Sequence, residues 1–270
     1  MSAADERPID APVHALSRRA IYAFACNLQR TGQLFDPGNA QLLDVFKGSV
    51  DRFCDIAHRL RRSRRVLDVG AGHGMLLAFL HALGHECHAV DYADQAAAYP
   101  EVFAARAIPF RQCNVEIEPL PYEDASFDAT VCCQVLEHFT HSHLPAVREM
   151  HRVLRPAGIL EIDVPNVASF RNRSRMLRGK NITYDYAEHY LRAVPVLYKG
   201  HSFFPVRHNR EFTREELRLL LAEAGFTAIE VSFLKSRRHR DGFERVLNAG
   251  TMLRDAVPSL RKSLIAFARK

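Results

Sequence analysis

No stretch of this 270-residue chain approaches the roughly 18 uncharged apolar residues that a helix needs to cross a bilayer. The opening Met1-Ser2-Ala3-Ala4-Asp5-Glu6-Arg7-Pro8 lacks the basic-then-apolar pattern of a secretory signal. Both absences lead to the expectation of a cytoplasmic protein. Cysteine is sparse, with six residues at 26, 54, 87, 113, 132 and 133, no CxxC pair and no regular spacing. That argues against a disulfide framework or a cysteine zinc site and for reduced thiols in the core. There is no internal repeat, no low-complexity tract and no appended RNA-binding module. Aromatic residues are not interleaved with the three basic clusters, Arg59–Arg65, Arg171–Lys180 and Lys235–Arg240. Such runs read first as solvated faces, which disfavours nucleic acid as a partner.

What remains is an ordinary globular balance. Lys and Arg number 37 against 31 Asp and Glu, a net charge of +6, and 47% of the chain is apolar, enough for a sizeable core. Residues 1–60 read as a helical cap broken at Asp36-Pro37-Gly38-Asn39. Within it Leu42, Val45, Phe46, Val50, Phe53, Ile56, Ala57 and Leu60 recur at three- and four-residue steps, a helix with one buried face. From Arg65 the period changes. Strands are expected at 66–69, 86–90, 110–113, 127–133 and 158–164, with helices over 75–83 and 143–154. The alternation lapses over 165–212, which carries no strand in this reading and is expected to be an insertion or lid. Thr213-Arg214-Glu215-Glu216 is a capping box that opens another helix. A sixth strand is expected over 227–234 and a seventh at the C-terminus, from 263. Repeated strand–helix–strand units imply one α/β domain over 61–270, a mainly parallel sheet with helices on both faces.

The segment that carries chemistry is Val66-Leu67-Asp68-Val69-Gly70-Ala71-Gly72-His73-Gly74. A strand feeding a glycine-rich turn and then a helix N-terminus lets an anionic group approach backbone amides. Dinucleotide enzymes would place a third glycine at position 75, where this chain has Met75. The observed spacing, with Asp68 two residues ahead of Gly70, resembles the first motif of the class I S-adenosylmethionine-dependent methyltransferases. Leu120-Pro121-Tyr122 through Phe127-Asp128, Val135-Leu136-Glu137-His138, Arg152-Val153-Leu154-Arg155-Pro156-Ala157-Gly158 and Phe212-Thr213 through Gly225-Phe226 resemble further motifs of that family in the same order.

The resemblance implies a Rossmann-like, seven-stranded sheet in the order 3-2-1-4-5-7-6, with S-adenosylmethionine as cofactor. It implies cofactor contacts at Asp68, Gly70, Gly72, Gly74, Asp91, Tyr92, Asn114 and Gln134. Asp91 would accept from the ribose hydroxyls, Tyr92 would cover an adenine face and Asn114 would bond the adenine edge. The acceptor is expected to be a small molecule or glycan, methylated most readily on a hydroxyl, with His138 and His208 as candidates for activating it. Relatives that bind a divalent ion use E-x-x-E-H. Gln134 occupies the first of those positions, and a neutral amide is a poorer ligand for a hard cation, so no metal is assigned. RNA methylation, a non-catalytic S-adenosylmethionine-binding regulator and a nicotinamide enzyme are the alternatives. Residues 243–262 read as a structural helix between the last two strands, with peripheral membrane contact the competing reading.

Overall fold

The computed structural model describes residues 13–183, 185–235 and 255–270. Two helices come first, α1 (Arg18–Arg30) and α2 (Ala40–Leu60), capped by the side chains of Ser17 and Asn39. The αβ alternation then runs β1 (Arg65–Val69), α3 (Met75–Ala82), β2 (Glu86–Asp91), the short α4 (Gln95–Ala98) and α5 (Pro100–Phe103), β3 (Phe110–Gln112), β4 (Phe127–Cys133), α6 (His143–Val153) and β5 (Leu154–Pro165). After α7 (Phe170–Leu177) comes a small hairpin, β6 (Val196–Tyr198) and β7 (His201–Phe203). Helix α8 (Arg214–Glu223), β8 (Thr227–Phe233) and β9 (Ser263–Arg269) close the chain.

Seven strands form one sheet in the order β3-β2-β1-β4-β5-β9-β8. Strands β1 to β5 pair in parallel, and β9 runs antiparallel between β5 and β8. Renumbered within the sheet this is 3-2-1-4-5-7-6, the expected order. The sequence period explains it: β1 alternates Val66 toward one face and Leu67 and Val69 toward the other, and all three are fully buried. One face packs α2 and α3 against Val66, Ala129 and Val131, while the other packs α6 and α8 against Leu67, Phe127 and Ile162.

Two expectations need correction. The insertion over 165–212 does contain strands, the β6–β7 hairpin. Its three-residue strands are too short to leave a period-2 signature, and only Tyr198 and Phe203 in them are buried. Strand β5 begins at Leu154, earlier than Gly158, because Leu154 pairs with Phe127 before the register jumps to Ala129 and Ile159. That irregularity lodges Arg155, Pro156 and Ala157 in the ladder, where a sequence reading takes Pro156 as a breaker. The helix expected over 243–262 lies outside the described residues as far as 254, as does the basic cluster beyond Lys235; Pro258–Leu260 form a short 3-10 turn. Among the described residues no helix is long and apolar enough to cross a membrane.

Candidate active site

At the carboxyl ends of β1, β2 and β4 lies a cavity of about 230 Å³, the place where open parallel sheets collect ligands. Gly70 and Gly72 line it from the turn after β1, Asp91 and Tyr92 from the end of β2, Asn114 from beyond β3, and Gln134 and His138 from beyond β4. Six of the eight expected cofactor residues therefore share one wall.

The turn is built by its glycines. Gly70 has φ +83°, and a Cβ there would stand 2.3 Å from Val135 Cγ2. Gly72, with φ +49°, faces open space. Its N–H donates to Asp91 Oδ2 at 3.0 Å, while Asp91 Oδ1 accepts from Ala93 N at 3.1 Å. Burial raises the Asp91 carboxyl, and these amide bonds oppose the rise. Each carboxylate oxygen retains a lone pair beyond these bonds.

Asn114 is buried, and its Oδ1 accepts from Glu116 N at 3.1 Å. Its Nδ2 has no partner among the described residues, so a buried donor stands unsatisfied on the cavity wall. Tyr92 meets Phe203 edge-on, with ring centroids 5.0 Å apart. Phe203 and Pro205 bring the insertion onto the cavity. The sequence reading missed both; the aromatic pair Phe203-Phe204 just before His208 was the available signal.

Gly74 and Asp68 stand elsewhere. Gly74, at φ +70°, is needed for packing, since a Cβ would come within 2.7 Å of Val102 and 2.9 Å of Phe103. It caps α3 from behind the cavity wall. Asp68 is buried beneath the turn and its Oδ1 has no partner among the described residues. Burial, with Asp91 nearby, pushes its carboxyl up to about 7. A folded-state value above the ordinary 3.8 means stability is greatest at low pH and falls as pH rises toward 7. Asp68→Asn removes this titration. Urea midpoints of parent and variant are therefore expected to diverge in the variant's favour across that range, and parallel curves would contradict the assignment.

His138 and His208 come together although seventy residues separate them in sequence. Their rings meet edge-on at 4.9 Å. His138 Nδ1 lies 3.1 Å from the Arg207 carbonyl, a partner that can only accept, so Nδ1 carries the proton and Nε2 is the free acceptor. Burial, with His208 beside it, lowers the His138 pKa and keeps the ring neutral. His208 Nδ1 is 3.6 Å from Glu211 Oε1. Glu137, next in sequence to His138, is buried with both carboxylate oxygens unpartnered among the described residues, and burial raises it to about 8. Glu137, His138 and His208 each place one ligand atom within 4.8 Å of the others, as do Cys133, Glu161 and Asp163. Gln134 Nε2 donates to Asp163 Oδ1 at 2.5 Å, and Arg52 Nη1 reaches the same carboxylate at 2.9 Å. That buried ion pair ties α2 to the end of β5.

A glycine turn after β1, an acid ending β2 and an antiparallel seventh strand define a Rossmann-like methyltransferase fold. Residues 67–162 match the family model of a methyltransferase domain. A Mycobacterium tuberculosis protein described as "Probable S-adenosylmethionine-dependent methyltransferase" is 32% identical over 167 residues, covering 62% of this chain and 50% of its own. The ubiquinone biosynthesis O-methyltransferase of Xanthomonas campestris is 30% identical over 105 residues, 38% of this chain and 43% of its own. The chain thus spans about half the length of the curated relatives it matches. Among solved structures, Burkholderia thailandensis 1,6-didemethyltoxoflavin-N1-methyltransferase, with that substrate and S-adenosylhomocysteine bound, superposes with a TM-score of 0.53. The match covers 98% of this chain and 93% of that one at 21% identity, a likeness of fold. Over residues 67–162 the chain is thus similar to the methyltransferase domain of S-adenosylmethionine-dependent methyltransferases.

Proposed function

We propose that this protein transfers a methyl group from S-adenosylmethionine to a hydroxyl of a small-molecule or glycan acceptor. The cavity suits the cofactor on three counts. Gly70 and Gly72 leave a backbone cradle that side chains would fill, Asp91 offers a carboxylate to a diol, and the orphaned Asn114 Nδ2 offers a donor to an adenine ring nitrogen. Tyr92 and Phe203 supply the apolar walls of an adenine slot. Bound there, the cofactor supplies a methyl group already activated by its sulfonium charge. The protein's own work is then to orient the acceptor, exclude water and take up a proton. The helices ahead of β1 and the insertion at 165–212 would cover the acceptor side.

The observation that carries the hydroxyl reading is His138 on the cavity wall with its Nδ1 3.1 Å from the Arg207 carbonyl, which makes Nε2 the acceptor nitrogen. A hydroxyl acceptor loses a proton on methylation, and a positioned imidazole typically contributes about a hundredfold or more to such a step. His208 lies where it can share that proton load. His138→Gln is expected to lower kcat by about a hundredfold while leaving S-adenosylhomocysteine binding intact, and to abolish the acid limb of the pH–rate profile. Unchanged kcat would remove His138 from the chemistry. Chelation with EDTA tests the other use of the trio: turnover that persists keeps His138 as a base, and turnover lost to EDTA and restored by a divalent ion assigns Glu137, His138 and His208 to a cation.

A further inference from the structure

Eleven large apolar side chains are exposed among the described residues, and nine of them fall between 170 and 206. The most open are Leu177 at 89%, Val194 at 83%, Val206 at 72% and Leu197 at 71% exposed. A folded domain scatters exposed apolar groups singly; their concentration in one segment marks an interaction surface. The same segment concentrates charge. Residues 165–212 hold nine Lys and Arg against three Asp and Glu, a net +6 equal to that of the whole chain. The remaining 222 residues are therefore neutral in sum, so the positive charge is a local property of the insertion.

The apolar and basic groups are interleaved at close range. Met176 and Leu177, at the exposed end of α7, are flanked by Arg173, Arg178 and Lys180. The Arg173 and Arg178 guanidiniums donate to the backbone carbonyls of Ala168 and Ser174, contacts that orient them without neutralising them. Leu197 is followed closely on the hairpin by Lys199, whose ammonium pairs with Glu118, so the unneutralised cations of this surface are those around α7. The insertion is also held in place. Asn172, buried, donates to the Val167 carbonyl and to Glu211, and Tyr190 Oη to the His208 carbonyl at 2.7 Å, which brace the insertion internally; Tyr198 Oη donates to Glu118 at 2.6 Å and Asn209 N to the Glu137 carbonyl at 2.7 Å, which tie it to the rest of the fold. Open leucines on an anchored support, set among cations, fit a surface that is apolar beneath and negatively charged at its face. A bilayer rich in anionic lipid has that layering: aliphatic tips enter the headgroup boundary while Arg and Lys meet the phosphates. An acidic protein would match the charge but has no place for so many aliphatic tips, and a second copy of this chain would set like charge against like.

We propose that the 165–212 insertion is a docking surface for anionic lipid membranes, which seats the protein peripherally with the hairpin side toward the bilayer. Because Phe203 and Pro205 of the same insertion line the cavity, docking would present the acceptor side to amphiphilic molecules. The docking itself does not depend on the methyl-transfer reading and is measured without turnover.

The test is flotation of the full-length protein with vesicles of equimolar phosphatidylglycerol and phosphatidylcholine, against vesicles of phosphatidylcholine alone. The parent is expected to float with the anionic vesicles and stay behind with the neutral ones. Leu177→Ser with Leu197→Ser, and separately Arg173→Glu, Arg178→Glu and Lys180→Glu together, are each expected to lower partitioning by about tenfold or more. A melting temperature and a far-UV circular dichroism spectrum equal to the parent's certify that the variants are folded. Equal binding to both vesicle types overturns the proposal, as does unchanged binding of the folded variants. So does a concentration-dependent dimer that the leucine variant abolishes while vesicles bind nothing, which would give this face to a second copy.

Discussion

Gly70→Ala is expected to lower folding stability by about 2–4 kcal/mol and to abolish S-adenosylhomocysteine binding in the same molecule. The two losses share one cause. At φ +83° any Cβ is strained, and this one would sit 2.3 Å from Val135 Cγ2, far inside van der Waals contact. Relief requires Val135 to move, and Val135 lines the cavity. Alternatively the turn itself moves, breaking the bonds that Gly70 N and Ala71 N donate to the Val90 carbonyl. Differential scanning calorimetry should register a melting temperature roughly 5–15 °C lower. Gly72→Ala serves as the comparison: its Cβ meets nothing within 4 Å, so the cost in stability is the φ strain alone, about 1–2 kcal/mol. A Gly70→Ala protein as stable as the parent would show that the turn is looser than its geometry implies.

Asp91→Ala is expected to weaken S-adenosylmethionine and S-adenosylhomocysteine binding by roughly 10- to 150-fold, the equivalent of about 1.5–3 kcal/mol for a lost charge-assisted hydrogen bond. Titration calorimetry measures it directly. The carboxylate also organises the site, because it accepts from Gly72 and Ala93 at once. Asp91→Asn separates the two duties. It keeps the size and one carbonyl acceptor, so it should retain more of the turn than of the diol affinity, and fall between parent and alanine variant. Affinity unchanged in both variants would remove Asp91 from the cofactor site and with it the central element of the proposed function.

Much of this was legible in the chain because it rests on local rules. The apolar run of β4 announced a strand covered on both faces, and Thr213 to Glu216 announced a helix start that the structure builds as a reciprocal capping box. The glycine turn was legible because positive φ is a demand on single residues, and Gly70, Gly72 and Gly74 all meet it. Their division of labour was not. Sequence treats the three alike, whereas the fold turns Gly72 to open space and presses Gly74 against Val102 and Phe103. The hairpin inside the insertion escaped for a related reason: its strands are held by pairing with each other and by the Tyr198–Glu118 bond, contacts that periodicity does not encode.

The sequence by itself determined the seven strands of the main sheet with α2, α3, α6 and α8, the turn after β1 and the acid that ends β2, since propensity, period and backbone conformation act over a few residues. Only the tertiary structure decided that His138 meets His208, that Arg52 pairs with Asp163 across 111 positions, and that Asn114 is left with a donor to give. These depend on burial and on distances between segments remote in the chain, which are set when the sheet closes and its helices pack.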